Sequence, residues 1–328
     1  MGMLIGGKWS PEDQIIHNGK YLRPSSVFAN DIAEQIIENI TAHPRRYLLI
    51  GSNSCQWSHR TIIIRQQKGL SQYIPLHIAH GPRTEGYSVD GGDPWQVPGT
   101  NKNIHHLHQL YSLSHDNYTG RSTVPVLWDS HALKIVSNES SMIMHAFDAV
   151  QIPPLKQKKK VETLYPDTLE KEMASLDEQI YHGLSNGVYK AGFAQTQEAY
   201  DQAVILVFET LEMLEDRLAE NRYLLGSKIT ASDWKLFTTL LRFDLVYYPL
   251  HRCMKHRLID YPNLWDYTRE LYQVEGVSDT IDFKAICQTS FANDTENNKY
   301  DIIPISPEIN WDSPHNRNNL STIRPATQ

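Results

Sequence analysis

The chain has 328 residues, 40% of them hydrophobic and 21% charged, with a formal net charge of −7. That length exceeds one ordinary domain and points to two, and the composition is that of a globular protein. The acidic balance argues against a general nucleic-acid binder, which needs a clustered positive face, and no run approaches the about 18 apolar residues of a membrane span.

Residues 1–45 are polar and mixed and read as an N-terminal extension; Met1 to Pro11 does not have the pattern of a secretory signal. Tyr47-Leu48-Leu49-Ile50, ended by Gly51, has the pattern of a buried strand. Ser52-Asn53-Ser54-Cys55 reads as a turn. Trp57 to Lys68 reads as a helix stopped by Gly69, and Tyr73 to His80 as a second strand. Strand, turn, helix, strand predicts a parallel βαβ pair. Residues 81–118, rich in Gly, Pro, Asp, Asn and His, read as one long loop. Val124 to Trp128 reads as a strand, with Leu133 to Val136 as its hairpin partner, and Asn138 is placed to cap a helix from Glu139 to Ala149.

A linker follows, with two prolines and then Lys156, Lys158, Lys159 and Lys160, read as a solvated run rather than a targeting signal. Beyond it, apolar spacing predicts helices over Thr163–Leu184, Thr196–Asn221, Thr230–Tyr247 and Pro262–Gln273. Thr230-Ala231-Ser232-Asp233 has the form of a capping box, with Ile229 and Trp234 spaced for a hydrophobic staple. The tail from residue 293 is rich in Asn and Pro and reads as irregular. The expected division is an extension (1–45), an α/β domain (46–150), a linker (151–163), an all-helical domain (164–292) and a tail (293–328).

The cysteines are Cys55, Cys253 and Cys287. An odd, sparse set makes a poor disulfide framework and fits a reducing compartment, read as the cytoplasm. Cys55 stands between a strand and a helix start, where unpaired backbone N–H groups can face the sulfur. Only a thiolate attacks, and an ordinary thiol of pKa ~8.5 is about 3% ionised at neutral pH. A helix terminus supplies about 0.3–2 kcal/mol towards ionisation, so further donors are needed, such as His59 or Arg60. On spacing alone, a cysteine beside a helix reads more simply as a small buried apolar residue. Cys253 and Cys287 lie in helical, largely apolar surroundings and read as structural.

Val124-Pro125 opens a strand, where a cis peptide would expose the Val124 backbone to an extended ligand; an ordinary edge-strand proline fits as well. Asn138-Glu139-Ser140-Ser141 can bind a carboxylate at a helix start, with Glu139 holding an ammonium group, or can be only a cap. His105, His106, His108 and His115 lack a second fixed ligand spacing and read as a solvated loop, not a metal site.

Longer motifs join these residues. They are Asn117-Tyr118-Thr119-Gly120-Arg121 running into Thr123 to Asp129, then Asn138 to Ser141, Asn186 to Ala194, Asp233-Trp234 through Phe243-Asp244, and Asp260 to Leu264. Together they resemble the xi-class glutathione transferases, the glutathionyl-hydroquinone reductases, from about Tyr47 to Phe283. The resemblance implies a thioredoxin-like α/β domain followed by an all-α domain, in a homodimer. It implies Cys55 as nucleophile, with glutathione held by Trp57, Tyr87, Arg121, Val124, Pro125, Glu139 and Ser140. Tyr189 would lie over the electrophilic site. Glutathione would be a co-substrate, and the second substrate a small aromatic or quinol-type compound. In the implied reaction the thiolate attacks the sulfur of a glutathione–hydroquinone thioether, leaving a Cys–glutathione disulfide that a second glutathione reduces. The alternative is a catalytically impaired relative that binds glutathione or another ligand as a scaffold.

The sequence departs from the family pattern in three places. Cys55-Gln56-Trp57-Ser58 stands where the family has Cys-Pro-Trp-Ala, and Tyr87 where it has tryptophan. Thr289-Ser290-Phe291 stands where it has His-Tyr-Tyr, which removes a tyrosine hydroxyl; Tyr300 follows shortly after.

Overall fold

The first residues form more structure than their polarity announces. In the computed structural model, which describes residues 2–12, 16–23, 25–152 and 162–320, they build two antiparallel hairpins. One joins β1 (Met3–Ile5) to β2 (Lys8–Ser10), the other β3 (Ile16–His17) to β4 (Lys20–Tyr21). Each turns on two residues with positive φ, Gly6-Gly7 and Asn18-Gly19. Those pairs favour two-residue hairpin turns because their φ matches the strand twist. The helix α1 (Glu34–Ala42) follows. The lysines of the expected linker, Lys156 and Lys158 to Lys160, lie outside the described residues.

The chain divides into two units. The first comprises Met1–Ile15, Pro24–Glu162 and Asp282–Asn293; the second comprises Ile16–Arg23, Thr163–Ile281 and Asp294–Gln328.

The first unit is built on β5 (Tyr47–Gly51), every residue of which is buried. It leads through the turn to α2 (Gln56–Gln67) and then to β6 (Leu76–Ile78), which pairs parallel with β5. The expected strand from Tyr73 is shorter because Leu70–Gln72 close a 3₁₀ turn first. The stretch 81–118 is not one loop. It holds the hairpin β7 (Trp95–Gln96) and β8 (Asn103–Ile104) and the helix α3 (Leu107–Ser114). Gln109 secures the start of α3 by accepting from the backbone N–H groups of His105 and His106, at 2.8 and 2.9 Å.

β9 (Val126–Asp129) then runs antiparallel to β5, and β10 (Lys134–Ser137) antiparallel to β9. The sheet order β10-β9-β5-β6 is that of a thioredoxin-like domain. The helix α4 (Ser140–Ala149) follows.

In the second unit, α5 (Glu170–Ile180) continues into one π turn, followed by the short α6 (Gly187–Gly192). The long α7 (Gln197–Glu220) is capped by Thr196, whose hydroxyl accepts from the Ala199 N–H at 3.2 Å. α8 (Ala231–Leu240) starts at the expected capping box, and α9 (Pro262–Tyr272) has its proline at the first turn. Asp233 does more than cap. It accepts from the Thr230 N–H and hydroxyl, from the Leu224 N–H and from the Tyr267 hydroxyl, all within 2.9 Å. A fully buried carboxylate needs that many donors. A last helix, α10 (Phe283–Phe291), belongs to the first unit.

The tail has no regular structure up to residue 320, yet it is anchored. Trp311 packs on Trp265 and Tyr272 of α9, with ring centres 5.1 and 5.5 Å away. Arg317 is 2% exposed and donates to the carbonyls of Leu218, Asn221 and Arg222, where α7 ends without intrahelical partners. Arg317→Met is therefore expected to destabilise the fold by about 3 kcal/mol, since buried carbonyls lose their donor. The urea unfolding midpoint measures it; an unchanged midpoint would show the tail to be a passive strand.

Candidate active site

Cys55 is the N-cap of α2 and is 7% exposed. Its sulfur accepts from the Ser58 backbone N–H at 3.4 Å and lies 3.5 Å from the Val124 carbonyl oxygen. The peptide Val124-Pro125 is cis. The thiol thus stands between the first turn of a helix and the start of a neighbouring strand. Ser58 is the first of the donors that a thiolate at this position would use.

Most of α2 is buried on every side, from Gln56 to Ile64, so its polar side chains need partners. Arg60 finds them on α4. Its Nε and Nη2 donate to the Ser140 hydroxyl at 3.0 and 2.5 Å, and Nη2 also reaches the Ser141 hydroxyl at 3.1 Å. Its guanidinium lies 3.7 Å from Glu139 and is stacked 4.8 Å from the centre of the Trp57 ring. Arg60 is thereby directed to the start of α4.

The cap of α4 is Glu139, not Asn138 as expected from the sequence. Glu139 accepts from the Ser141 N–H at 3.1 Å and from the Ser26 hydroxyl at 3.0 Å. Asn138 is engaged elsewhere. It accepts from the Phe28 N–H at 3.2 Å and donates to the Tyr111 hydroxyl at 3.0 Å. Tyr111 in turn donates to the Thr123 carbonyl at 2.8 Å and accepts from the Thr123 N–H at 3.2 Å. Burial holds the Tyr111 phenol above its ordinary pKa, so it stays neutral and can play both roles. Asn138, Tyr111 and Thr123 fix the backbone that leads into Val124-Pro125.

The structure brings Cys55, Trp57, Val124, Pro125, Glu139 and Ser140 together around α2 and the start of α4. Tyr87 sits in the stretch between β6 and α3, with Arg83 over its ring. Arg121 precedes the cis peptide, and its carbonyl accepts from the Tyr118 hydroxyl at 3.0 Å. Ser26, Arg60, Tyr111 and Asn138 support the site through contacts that sequence reading did not assign.

The histidines do not all lie in a solvated loop as expected: His106 caps α3 and His108 is buried within it, 3.1 Å from Glu85, while the exposed His105 pairs with Asp90 at 2.7 Å. Among the described residues, no group of three or more His, Cys, Asp or Glu could hold a metal ion.

Tyr189 belongs to the second unit and sits in an aromatic cluster there. Its hydroxyl is 3.2 Å from that of Tyr247, and its ring centre is 5.2 Å from that of His251. Burial holds the His251 imidazole below its ordinary pKa, with Asp294 at 3.8 Å acting in the opposite sense. The cluster therefore has a neutral histidine beside two phenols at neutral pH.

The other two thiols are buried. Cys253 lies in an irregular segment rather than a helix, and burial pushes its thiol up to about 12. Cys287 lies in α10.

Comparison with known proteins matches the family "Glutathione S-transferase, C-terminal domain" over residues 197–270. The glutathionyl-hydroquinone reductase YqjG of Escherichia coli is 39% identical over 97% of this chain and 98% of its own. A glutathione-bound structure of YqjG superposes with a TM-score of 0.78 at 40% identity, covering 84% of this chain and 89% of that one. The xi-class transferase of Natrialba magadii superposes with a TM-score of 0.86 at 32% identity, over 97% of both chains.

Proposed function

Since the chain belongs to the xi-class glutathione transferases, the family of the glutathionyl-hydroquinone reductases, we propose that it is a glutathione-dependent reductase whose nucleophile is Cys55. The observation that carries the reading is the position of that sulfur: at a helix start, accepting from Ser58, and 3.5 Å from the Val124 carbonyl beside a cis proline. Glutathione is the co-substrate. Its cysteinyl backbone pairs with Val124 beside Pro125, and its γ-glutamyl end meets Glu139 and Ser140. Trp57, Tyr87 and Arg121 complete the binding site.

The proposed second substrate is a glutathionylated hydroquinone or a related thioether or disulfide. The Cys55 thiolate attacks the glutathionyl sulfur, forming a sulfur–sulfur bond as the bond from sulfur to the ring carbon breaks. The electron pair leaves on that carbon, which takes a proton from the Tyr189 hydroxyl. A second glutathione gives up its thiol proton, which restores the Tyr189 hydroxyl, and its thiolate attacks the mixed disulfide, releasing glutathione disulfide and the Cys55 thiolate. The ring is reduced and two glutathiones are oxidised. Splitting the reaction at the mixed disulfide replaces one difficult step by two easier ones.

Three buried cysteines, none in a disulfide, fit a reducing compartment, the cytoplasm, and no helix among the described residues is long and apolar enough to cross a membrane. A homodimer is part of the same proposal.

Incubation with glutathione disulfide followed by peptide mass mapping tests the reading. One glutathionyl adduct on Cys55 is expected, with Cys253 and Cys287 unmodified. If Cys55 stays unmodified while either of the others reacts, the enzyme reading fails and a ligand-binding relative remains.

A further inference from the structure

The stretch between β6 and α3 carries a cation outside every motif that gives the family likeness. Arg83 Nη2 donates to the Ser54 hydroxyl at 2.7 Å, one residue before Cys55. Its guanidinium carbon stands 4.2 Å from the centre of the Tyr87 ring. Its backbone N–H donates to the Asn293 side-chain oxygen at 2.7 Å, just past α10. The Ser54 hydroxyl is itself 3.2 Å from that of Ser52. The arginine is held through both side chain and backbone, and all its partners here lie in the first unit.

Glutathione carries a carboxylate at its glycine end, opposite the γ-glutamyl group. Binding that carboxylate out of bulk water calls for a cation with paired donors, and a guanidinium is the side chain matched to it. Arg60 is directed to the start of α4, at Ser140, Ser141 and Glu139, and serves the γ-glutamyl end. Arg83 is joined not to that end but to Ser54, the residue before Cys55, and to Tyr87, which places a second guanidinium beside the nucleophile.

We infer that Arg83 anchors the glycine carboxylate of glutathione and sets the preference for a peptide with a free carboxyl terminus. The inference rests on the glutathione reading above. The stacked Tyr87 ring keeps the guanidinium flat and in place, so little rotamer freedom is lost when the carboxylate binds. This chain has Tyr87 where its relatives' pattern has tryptophan, and the arginine–tyrosine stack supplies contact at that position.

Calorimetric titration with S-methylglutathione and with its glycine carboxamide tests it, because neither ligand can form a disulfide with Cys55. The wild type is expected to bind the free acid roughly tenfold more tightly than the amide. Arg83→Met is expected to bind both at the amide's affinity, and Arg83→Lys to keep part of the preference. Equal affinities in the wild type, or a full preference kept in Arg83→Met, overturn the inference and leave the glutathione reading standing. Loss of the amide as well in both variants marks a structural role and also overturns it. A wild type that binds neither ligand overturns the glutathione reading itself and the inference with it.

Discussion

Replacing Cys55 by serine is expected to lower turnover of a glutathionyl-hydroquinone by at least about 1000-fold, because a serine hydroxyl is not ionised where a thiol can be. The substitution is nearly isosteric, and serine is itself a favoured N-cap. The Ser58 N–H, now 3.4 Å from the sulfur, would still find an acceptor. The unfolding midpoint should therefore stay within the range of ordinary surface changes. Binding of S-methylglutathione should persist, since Val124, Glu139 and Ser140 are untouched. Steady-state kinetics and adduct mass on the same preparation check this. Activity above a few per cent of wild type, with an adduct on Cys253 or Cys287, would defeat the mechanism.

Tyr189→Phe is the second large effect. Cleavage of a carbon–sulfur bond leaves electron density on a ring carbon that needs a proton, and a positioned general acid contributes about 10²–10⁴-fold. Thioether turnover is expected to fall about 100-fold in the variant. A disulfide substrate releases a thiolate, which leaves without a proton, so disulfide reduction should change less than about threefold. The Tyr189 hydroxyl lies 3.2 Å from that of Tyr247, and removing it takes away a contact between two hydroxyls and not an ion pair. In α10, Thr289-Ser290-Phe291 stands where the family pattern has His-Tyr-Tyr, so no tyrosine of that segment would share the proposed proton step. The Thr289 hydroxyl there is bound to the Ala285 carbonyl, Phe291 is buried, and Tyr300 is 77% exposed. Equal losses on both substrate types would remove Tyr189 from the proton step.

The two effects separate the parts of the reaction. In the proposed mechanism Cys55 would be needed for every substrate, because each would pass through the mixed disulfide. Tyr189 would be needed only when the leaving atom is carbon. A protein without the α10 tyrosine should accordingly favour disulfides over thioethers more than its relatives do.

The sequence by itself determined the features that depend on near neighbours. The apolar run before Gly51, the helix after Cys55 and the capping box at Thr230 and Asp233 each rest on contacts a few residues apart. Such patterns are legible because strand and helix periods and caps are local. The Gly6-Gly7 and Asn18-Gly19 turns were equally local, and only the polarity around them masked their hairpins. The longer motifs carried the family, and with it the fold.

Only the tertiary structure decided how the site around Cys55 is supported. Glu139 rather than Asn138 caps α4, because Phe28 and Tyr111, 110 and 27 residues away in sequence, occupy the Asn138 side chain. Arg60 serves Ser140 across 80 residues, and Arg83 meets Asn293 across 210. Within the second unit, the pairing of Tyr189 with Tyr247 likewise spans 58 residues. No local pattern encodes such contacts. Each follows from the cost of burying a polar group without a partner, and only the packed chain shows which partner is within reach.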